Sequence, residues 1–102
     1  MTDDMVDTAG TLVAGAQFLK EHGAKKVYAC ATHGIFSEPA IERIEESVLD
    51  SVVVTDTVPV DPLTKPERVT VLTVADILAE TIHNVFSDES VSGIFPGGNQ
   101  LF

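Results

Sequence analysis

Cysteine and basic side chains are scarce in this chain of 102 residues, which has one cysteine and six lysine and arginine residues against sixteen acidic ones. The single cysteine, Cys30, excludes an internal disulfide, and its place in the apolar run 27–31 predicts a buried, reduced thiol. The formal charge of -10 argues against a nucleic-acid partner, because few cations are available to replace the counterions of a phosphate backbone.

Long apolar runs are also missing from the sequence. No stretch is long enough to span a membrane, and no basic-then-apolar segment opens the chain as a signal peptide would. A cytoplasmic location without membrane contact is therefore the expectation. The hydrophobic content of 44% and the length suit a small folded domain with a single core.

The segment 3–11 carries most of the chemical information in the chain. It precedes an apolar-periodic helix and reads Asp3-Asp4-Met5-Val6-Asp7-Thr8-Ala9-Gly10-Thr11. Small residues at positions 9 and 10 would let backbone N–H groups approach a phosphate, and the two threonine hydroxyls would add donors. The start of the helix contributes a partial positive charge at the same point.

The carboxylates of this segment indicate the chemistry of the ligand at the end opposite the phosphate. Asp3, Asp4 and Asp7 suit ribose hydroxyls or a divalent metal, and they would repel a phosphate placed directly beside them. A sugar phosphate satisfies both halves of the segment. The alternative is an ordinary helix cap, in which Thr8 or Asp7 accepts hydrogen bonds from the first N–H groups of the helix.

Hydrophobic periodicity places the remaining elements. It predicts helices over 8–22, around 39–48 and after Thr73, and strands over 26–31, 51–55 and 69–72. The order α-β-α-β-β-α indicates an α/β fold with a mainly parallel sheet flanked by helices, and strand 51–55 is apolar enough to be central. Only two residues precede the paired acids, so the leading strand is expected to be missing. Residues 1–87 are predicted to form the domain and 88–102 an irregular apolar tail.

Four motifs, in order, resemble those of the ribose-phosphate pyrophosphokinase family. They are the segment 3–11, the strand and turn 28–37 with its Ala-Thr-His-Gly-x-Phe-Ser pattern, the segments 40–44 and 53–59, and Ser90-Val91-Ser92 followed by Phe95. The resemblance covers nearly all of the chain. It identifies the sequence as a fragment of the carboxyl-terminal domain of such an enzyme.

The resemblance implies a type I phosphoribosyltransferase-like half and a parent enzyme that transfers pyrophosphate from ATP to the C1 hydroxyl of ribose 5-phosphate, with Mg²⁺. It implies that Asp3 and Asp4 face the ribose hydroxyls and the metal, and that residues 7–11 wrap the 5-phosphate. A regulatory phosphate site near a subunit interface is implied for Ser90, Ser92 and Phe95. The family also implies a homo-oligomer, which the apolar tail and an exposed sheet edge favour independently.

Other functions stay open at this stage. The chain could be a non-catalytic regulatory or assembly module of the same fold, or part of a nucleobase phosphoribosyltransferase. The ATP-binding half of the family is missing from the sequence, and none of the six basic residues lies beside the segment 3–11. The isolated fragment is therefore expected to be inactive. His33, in the turn after a strand, is expected to bond to backbone more readily than to a ligand.

Overall fold

The computed structural model describes residues 1–87 and residue 94. The chain divides into two compact units, Met1–Leu72 and Thr73–Phe102. The elements of the first unit are β1 (Thr2–Val6), α1 (Gly10–Glu21), β2 (Tyr28–Gly34), α2 (Ala40–Glu45), β3 (Ser51–Thr55) and β4 (Val69–Leu72). The second unit contributes α3 (Ala75–Phe86).

The sheet has four strands in the order β1-β2-β3-β4, and every neighbouring pair is parallel. Val52 of β3 is in register with Ala29 of β2 on one side and with Val69 of β4 on the other. The predicted α/β class, the parallel sheet with flanking helices and the central position of strand 51–55 are therefore confirmed.

A single apolar core lies between the sheet and the two helices of the first unit. Its largest fully buried side chains are Ile44, Leu49, Val52, Val54 and Val69. The same cluster includes alanines that bring the layers close together, namely Ala16 of α1, Ala29 and Ala31 of β2, and Ala40 of α2. Small residues where helix meets sheet allow the helices to pack closely on the strands.

The leading strand is present, so its predicted absence is wrong. β1 contains the paired acids inside the strand rather than after it, and it pairs with β2 through Asp3 opposite Ala31 and Val6 opposite Gly34. β1 is an edge strand, and four of its five residues are exposed. An edge strand needs no continuous apolar run, because only one side is paired and little of it is buried.

Cys30 is exposed, and the prediction of a buried thiol is also wrong. The run 27–31 is apolar throughout, but side chains of a strand alternate between the two faces of the sheet. Ala29 and Ala31 face the core, which places Tyr28 and Cys30 on the opposite face, where both are exposed. β2 also continues through Thr32 to Gly34, beyond the predicted strand end.

Arg68 connects the start of β4 to the end of α2. Its Nη1 atom donates to the carbonyl oxygens of Ile44 at 3.3 Å, Ser47 at 2.9 Å and Leu49 at 2.9 Å. Carbonyls at and just beyond a helix C-terminus lack partners within the helix, and here the guanidinium supplies a donor to those of Ser47 and Leu49. The Ile44 carbonyl also accepts the Ser47 N–H at 3.2 Å and the Ser47 hydroxyl at 2.7 Å. This connection holds α2 in place on the sheet.

The second unit is described by itself. α3 forms where a helix is predicted after Thr73, whose Oγ1 accepts a hydrogen bond from the Ala75 N–H at 3.1 Å. The predicted tail, 88–102, lies outside the described residues except for residue 94. None of the described helices has the length and apolar character required to cross a bilayer.

Candidate functional site

A cleft of about 180 Å³ opens where β1 ends and α1 begins. It is lined by Asp3, Met5, Val6, Asp7, Thr8, Ala9, Gly10, Thr11 and Leu12. Six of the seven residues predicted to bind a sugar phosphate therefore line one cleft. Asp4 does not line it, because adjacent residues of a strand point to opposite faces of the sheet. The position agrees with the rule that ligands of open parallel sheets bind beyond the carboxyl ends of the strands.

The start of α1 leaves backbone donors free to face this cleft. Ala9 is the N-cap residue, with φ 64° and ψ 7°, and no side chain caps the helix. The first hydrogen bond of the helix runs from the Val13 N–H to the Ala9 carbonyl at 3.0 Å. The N–H groups of Gly10, Thr11 and Leu12 accordingly have no acceptor within the helix. The interpretation of Thr8 or Asp7 as an ordinary cap is wrong for this helix.

The carbonyls on either side of Asp7 are bonded to neighbouring elements. Val6 accepts the N–H groups of Ile35 and Phe36, at 2.9 and 3.1 Å, from the turn after β2. The Thr8 carbonyl accepts Nη1 of Arg43, on α2, at 3.1 Å. These bonds fix both ends of the peptide segment that forms the floor of the cleft.

Arg43 was not predicted to belong to the site. No basic residue is close to the segment 3–11 along the chain, but Arg43 is close to it in space. In space, Nη1 of Arg43 lies 3.1 Å from the point where a Cβ on Gly10 would be. Gly10 does not have a positive φ, so its lack of a side chain serves this close approach rather than a special backbone conformation. The only signal in the sequence was an arginine on a helix expected to pack on the same sheet.

The paired acids form a small hydrogen-bonded group at the edge of the sheet. Oδ1 of Asp3 accepts the Asp4 N–H, and Oδ1 of Asp4 accepts the Met5 N–H, both at 2.8 Å. The pKa of the Asp4 carboxyl is lowered, first by its hydrogen bond with the Asp3 side chain and then by the Met5 N–H, with a smaller electrostatic contribution from His33. Asp4 therefore stays ionised to lower pH than an isolated aspartate does.

Asp3 and Asp4 can be tested as Mg²⁺ ligands by their chemistry. Among residues 1–87 no group of three or more carboxylate, histidine or cysteine side chains is arranged to hold a metal. Mg²⁺ often binds through only one or two carboxylates, with waters and substrate oxygens completing the octahedron. Asp3, an exposed carboxylate that lines the cleft, fits that pattern as a single protein ligand, whereas Asp4 lies outside the cleft.

His33 lies at the same end of the sheet but bonds to a side chain. Its Nδ1 shares a hydrogen bond of 2.6 Å with Oγ1 of Thr57, not with backbone as predicted. The Thr57 hydroxyl also contacts the Thr32 carbonyl at 3.3 Å. This bonding gives His33 a structural part in joining β2 to the segment after β3. The predicted regulatory residues Ser90, Ser92 and Phe95 lie outside the described residues.

The fold and the cleft define an α/β domain with a parallel sheet and a candidate binding site at the carboxyl end of its first strand. The family model of the phosphoribosyl synthetase-associated domain matches residues 1–96, and the chain belongs to this family.

Curated relatives and a solved structure agree with this membership. The chain is 53% identical over 95 residues to ribose-phosphate pyrophosphokinase 2, chloroplastic, of Arabidopsis thaliana, an alignment that covers 93% of this chain and 24% of the relative. It is 52% identical over 96 residues to the ribose-phosphate pyrophosphokinase of Shewanella oneidensis, covering 93% of this chain and 30% of the relative.

The crystal structure of phosphoribosylpyrophosphate synthetase from Mycobacterium smegmatis matches with a TM-score of 0.82 and 44% identity, covering 85% of this chain and 29% of that one. The chain thus spans less than a third of the length of each of these proteins.

Proposed function

We propose that this chain is the part of a ribose-phosphate diphosphokinase that binds ribose 5-phosphate. It would form a type I phosphoribosyltransferase-like half in the carboxyl-terminal domain of that enzyme. The observation that supports the binding role best is the start of α1. Ala9, in a left-handed conformation, opens a helix that has no side-chain cap, and the cleft at that point is lined by small residues, hydroxyls and two carboxylates. Its relatives are named ribose-phosphate pyrophosphokinases.

The phosphate end of the ligand is assigned to residues 7–11. Backbone N–H groups at the helix start donate to the phosphate oxygens, and the hydroxyls of Thr8 and Thr11 add two further donors. Backbone donors suit a chain with a formal charge of -10, in which side-chain cations are few. Arg43 contributes one positive charge close to the same turn.

The sugar end is assigned to the Asp3 carboxylate. Asp3 lines the cleft and would accept hydrogen bonds from the ribose 2- and 3-hydroxyls. Asp3 would also be the carboxylate that holds Mg²⁺ in the cleft, and in the parent enzyme the metal would offset the negative charge of the reacting phosphates. Asp4, which does not line the cleft, is given no contact with the ligand. Together Asp3 and residues 7–11 would orient the C1 hydroxyl toward ATP bound elsewhere in the parent enzyme. Transfer of pyrophosphate then depends on in-line positioning.

A titration with ribose 5-phosphate tests the binding role. We expect backbone amide signals of residues 7–12 to shift in heteronuclear NMR spectra, and free ribose at the same concentrations to shift them far less, since it has no phosphate. Weak affinity is expected for a partial site. Shifts that cluster away from residues 3–12, or equal shifts with ribose, would contradict the proposal.

The 102-residue chain alone is expected to make no phosphoribosyl pyrophosphate. Phosphoryl transfer needs cationic groups preorganised around the transferring phosphates, and the described part of the chain brings only Arg43 to the edge of the site, where it already bonds Thr8. The measurement is AMP release from ATP that depends on ribose 5-phosphate, with purified protein and Mg²⁺. Release above the rate of a protein-free control would show that the chain carries a complete catalytic site.

The remaining assignments extend the proposal to assembly and location. A homo-oligomer and a cytoplasmic location are proposed for the parent enzyme. Within the described residues β1 pairs on one side only, which supports the first, because an edge strand can pair with a second chain.

A further inference from the structure

Arg43, on the neighbouring helix α2, contacts the proposed phosphate-binding loop, residues 7–11. We infer that Arg43 is a positioning residue, which orients the Thr8–Ala9 peptide so that the Ala9 N–H faces the ligand. This inference rests on the proposed function, because it assigns a part to Arg43 in the same site. Arg43 itself does not line the cleft and is not proposed to touch the ligand.

The orientation follows from the planarity of the peptide. In a trans peptide the C=O and N–H groups point in opposite directions. The Thr8 carbonyl points to Nη1 of Arg43, 3.1 Å away on the side of α2. The N–H of Ala9 belongs to the same peptide unit and so points away from α2. Thr8 and Ala9 both line the cleft, whereas Arg43 lines a separate groove between α1 and α2.

Backbone strain at Ala9 makes this orientation depend on a partner. Ala9 has φ 64°, a left-handed conformation in which the Cβ of an L-residue crowds the backbone. Rotation of the Thr8–Ala9 peptide would return Ala9 to a negative φ and would turn the Thr8 carbonyl toward the cleft. A carbonyl oxygen there would repel a phosphate. The bond from Arg43 opposes that rotation, and strained conformations persist only where neighbouring structure holds them.

Gly10 provides the space that the guanidinium needs. A Cβ at this position would lie 3.1 Å from Nη1 and 3.8 Å from Cζ of Arg43. The bond to Thr8 and the missing side chain at position 10 are thus two parts of one arrangement. It joins α2 to the loop at a point 35 residues from Thr8 along the chain.

Arg43→Met is the main test, and Lys20→Met is its matched control. Lys20 also donates to a backbone carbonyl, that of Lys25 at 2.6 Å, so its substitution removes the same charge and the same kind of bond far along α1. We expect Arg43→Met to raise the Kd for ribose 5-phosphate about tenfold, which is the effect of losing one hydrogen bond from the Ala9 N–H to the charged phosphate. Lys20→Met should leave the Kd unchanged. Arg43 is exposed, so the variant should fold, which thermal unfolding verifies.

Two further readouts separate orientation of the peptide from simple charge. A positive φ brings the amide proton of a residue close to its own Hα, so Ala9 should show a strong intraresidue cross-peak that weakens in Arg43→Met without any ligand. Adding Ala9→Gly should recover part of the lost affinity, because glycine adopts a positive φ without strain.

An unchanged Ala9 cross-peak, or no recovery with Ala9→Gly, overturns the inference and assigns any affinity change to charge. Equal affinity in Arg43→Met and the original chain also overturns it while leaving the proposed function standing. If the original chain does not bind ribose 5-phosphate, the proposed function fails with it.

Discussion

Gly10→Val should weaken the binding of ribose 5-phosphate on the order of a hundredfold, as expected for the loss of two or more charged hydrogen bonds. A branched side chain at position 10 would meet the Arg43 guanidinium, since even its Cβ would lie 3.1 Å from Nη1. The guanidinium would have to leave the Thr8 carbonyl. The isopropyl group would also crowd the N–H groups at the start of α1. The loop would then lose the bond from Arg43, and the phosphate could no longer reach the N–H groups.

Ala14→Val is the matched control for this substitution. Ala14 lies one turn further along α1, is exposed, and does not line the cleft. The same β-branched residue is introduced into the same helix, and Ala14→Val carries the larger loss of helix propensity, because alanine is a better helix former than glycine. A loss of affinity confined to Gly10→Val is therefore not an effect of helix propensity. Amide shifts during a titration with ribose 5-phosphate give both affinities. Equal affinities in the two variants would show that the ligand binds elsewhere.

Ile44→Ala should lower the free energy of unfolding by about 2–5 kcal/mol, which is the range for removing a large aliphatic side chain from a packed core. Ile44 is 0% exposed and lies between α2 and the sheet, in the cluster that contains Val52 and Val54. A small domain has only about 5–15 kcal/mol of stability in total, so the loss would be a large share of it. Urea unfolding followed by circular dichroism measures the change.

Ile41→Ala, in the same helix, is the control for Ile44→Ala. Ile41 is half-buried and does not belong to the core cluster, so we expect its substitution to cost about 1 kcal/mol. Helix propensity changes by the same amount in both variants. Equal losses would mean that Ile44 is not packed as the structure shows.

The sequence was sufficient to predict the elements with strong periodicity. The β-branched run 51–55 forms β3, one of the two inner strands, and the apolar-periodic segment after residue 8 forms α1. The segment 3–11 was predicted as one site, and all of its proposed ligand contacts except Asp4 line one cleft. Such local patterns are readable because they follow from the geometry of a single helix or strand.

The parts that could not be predicted depend on neighbours distant in sequence. β1 was missed because its pairing with β2 stabilises a polar edge strand that has no apolar pattern of its own. The contact between Arg43 and Thr8 was missed because it requires the packing of α2 beside α1. The exposure of Cys30 depends on which face of the sheet the helices cover.

The guanidinium of Arg68 also has a consequence for local unfolding. Its three carbonyl partners lie at and after the end of α2, while its own carbonyl accepts the Val52 N–H of β3 at 2.9 Å. Detachment of the start of β4 would therefore remove the Arg68 donor from the Ser47 and Leu49 carbonyls and break one strand bond at once, while the Ile44 carbonyl would keep its bonds from Ser47. The end of α2 and the start of β4 should therefore open together, so that the protected amide protons of α2 and β4 exchange with solvent as one unit.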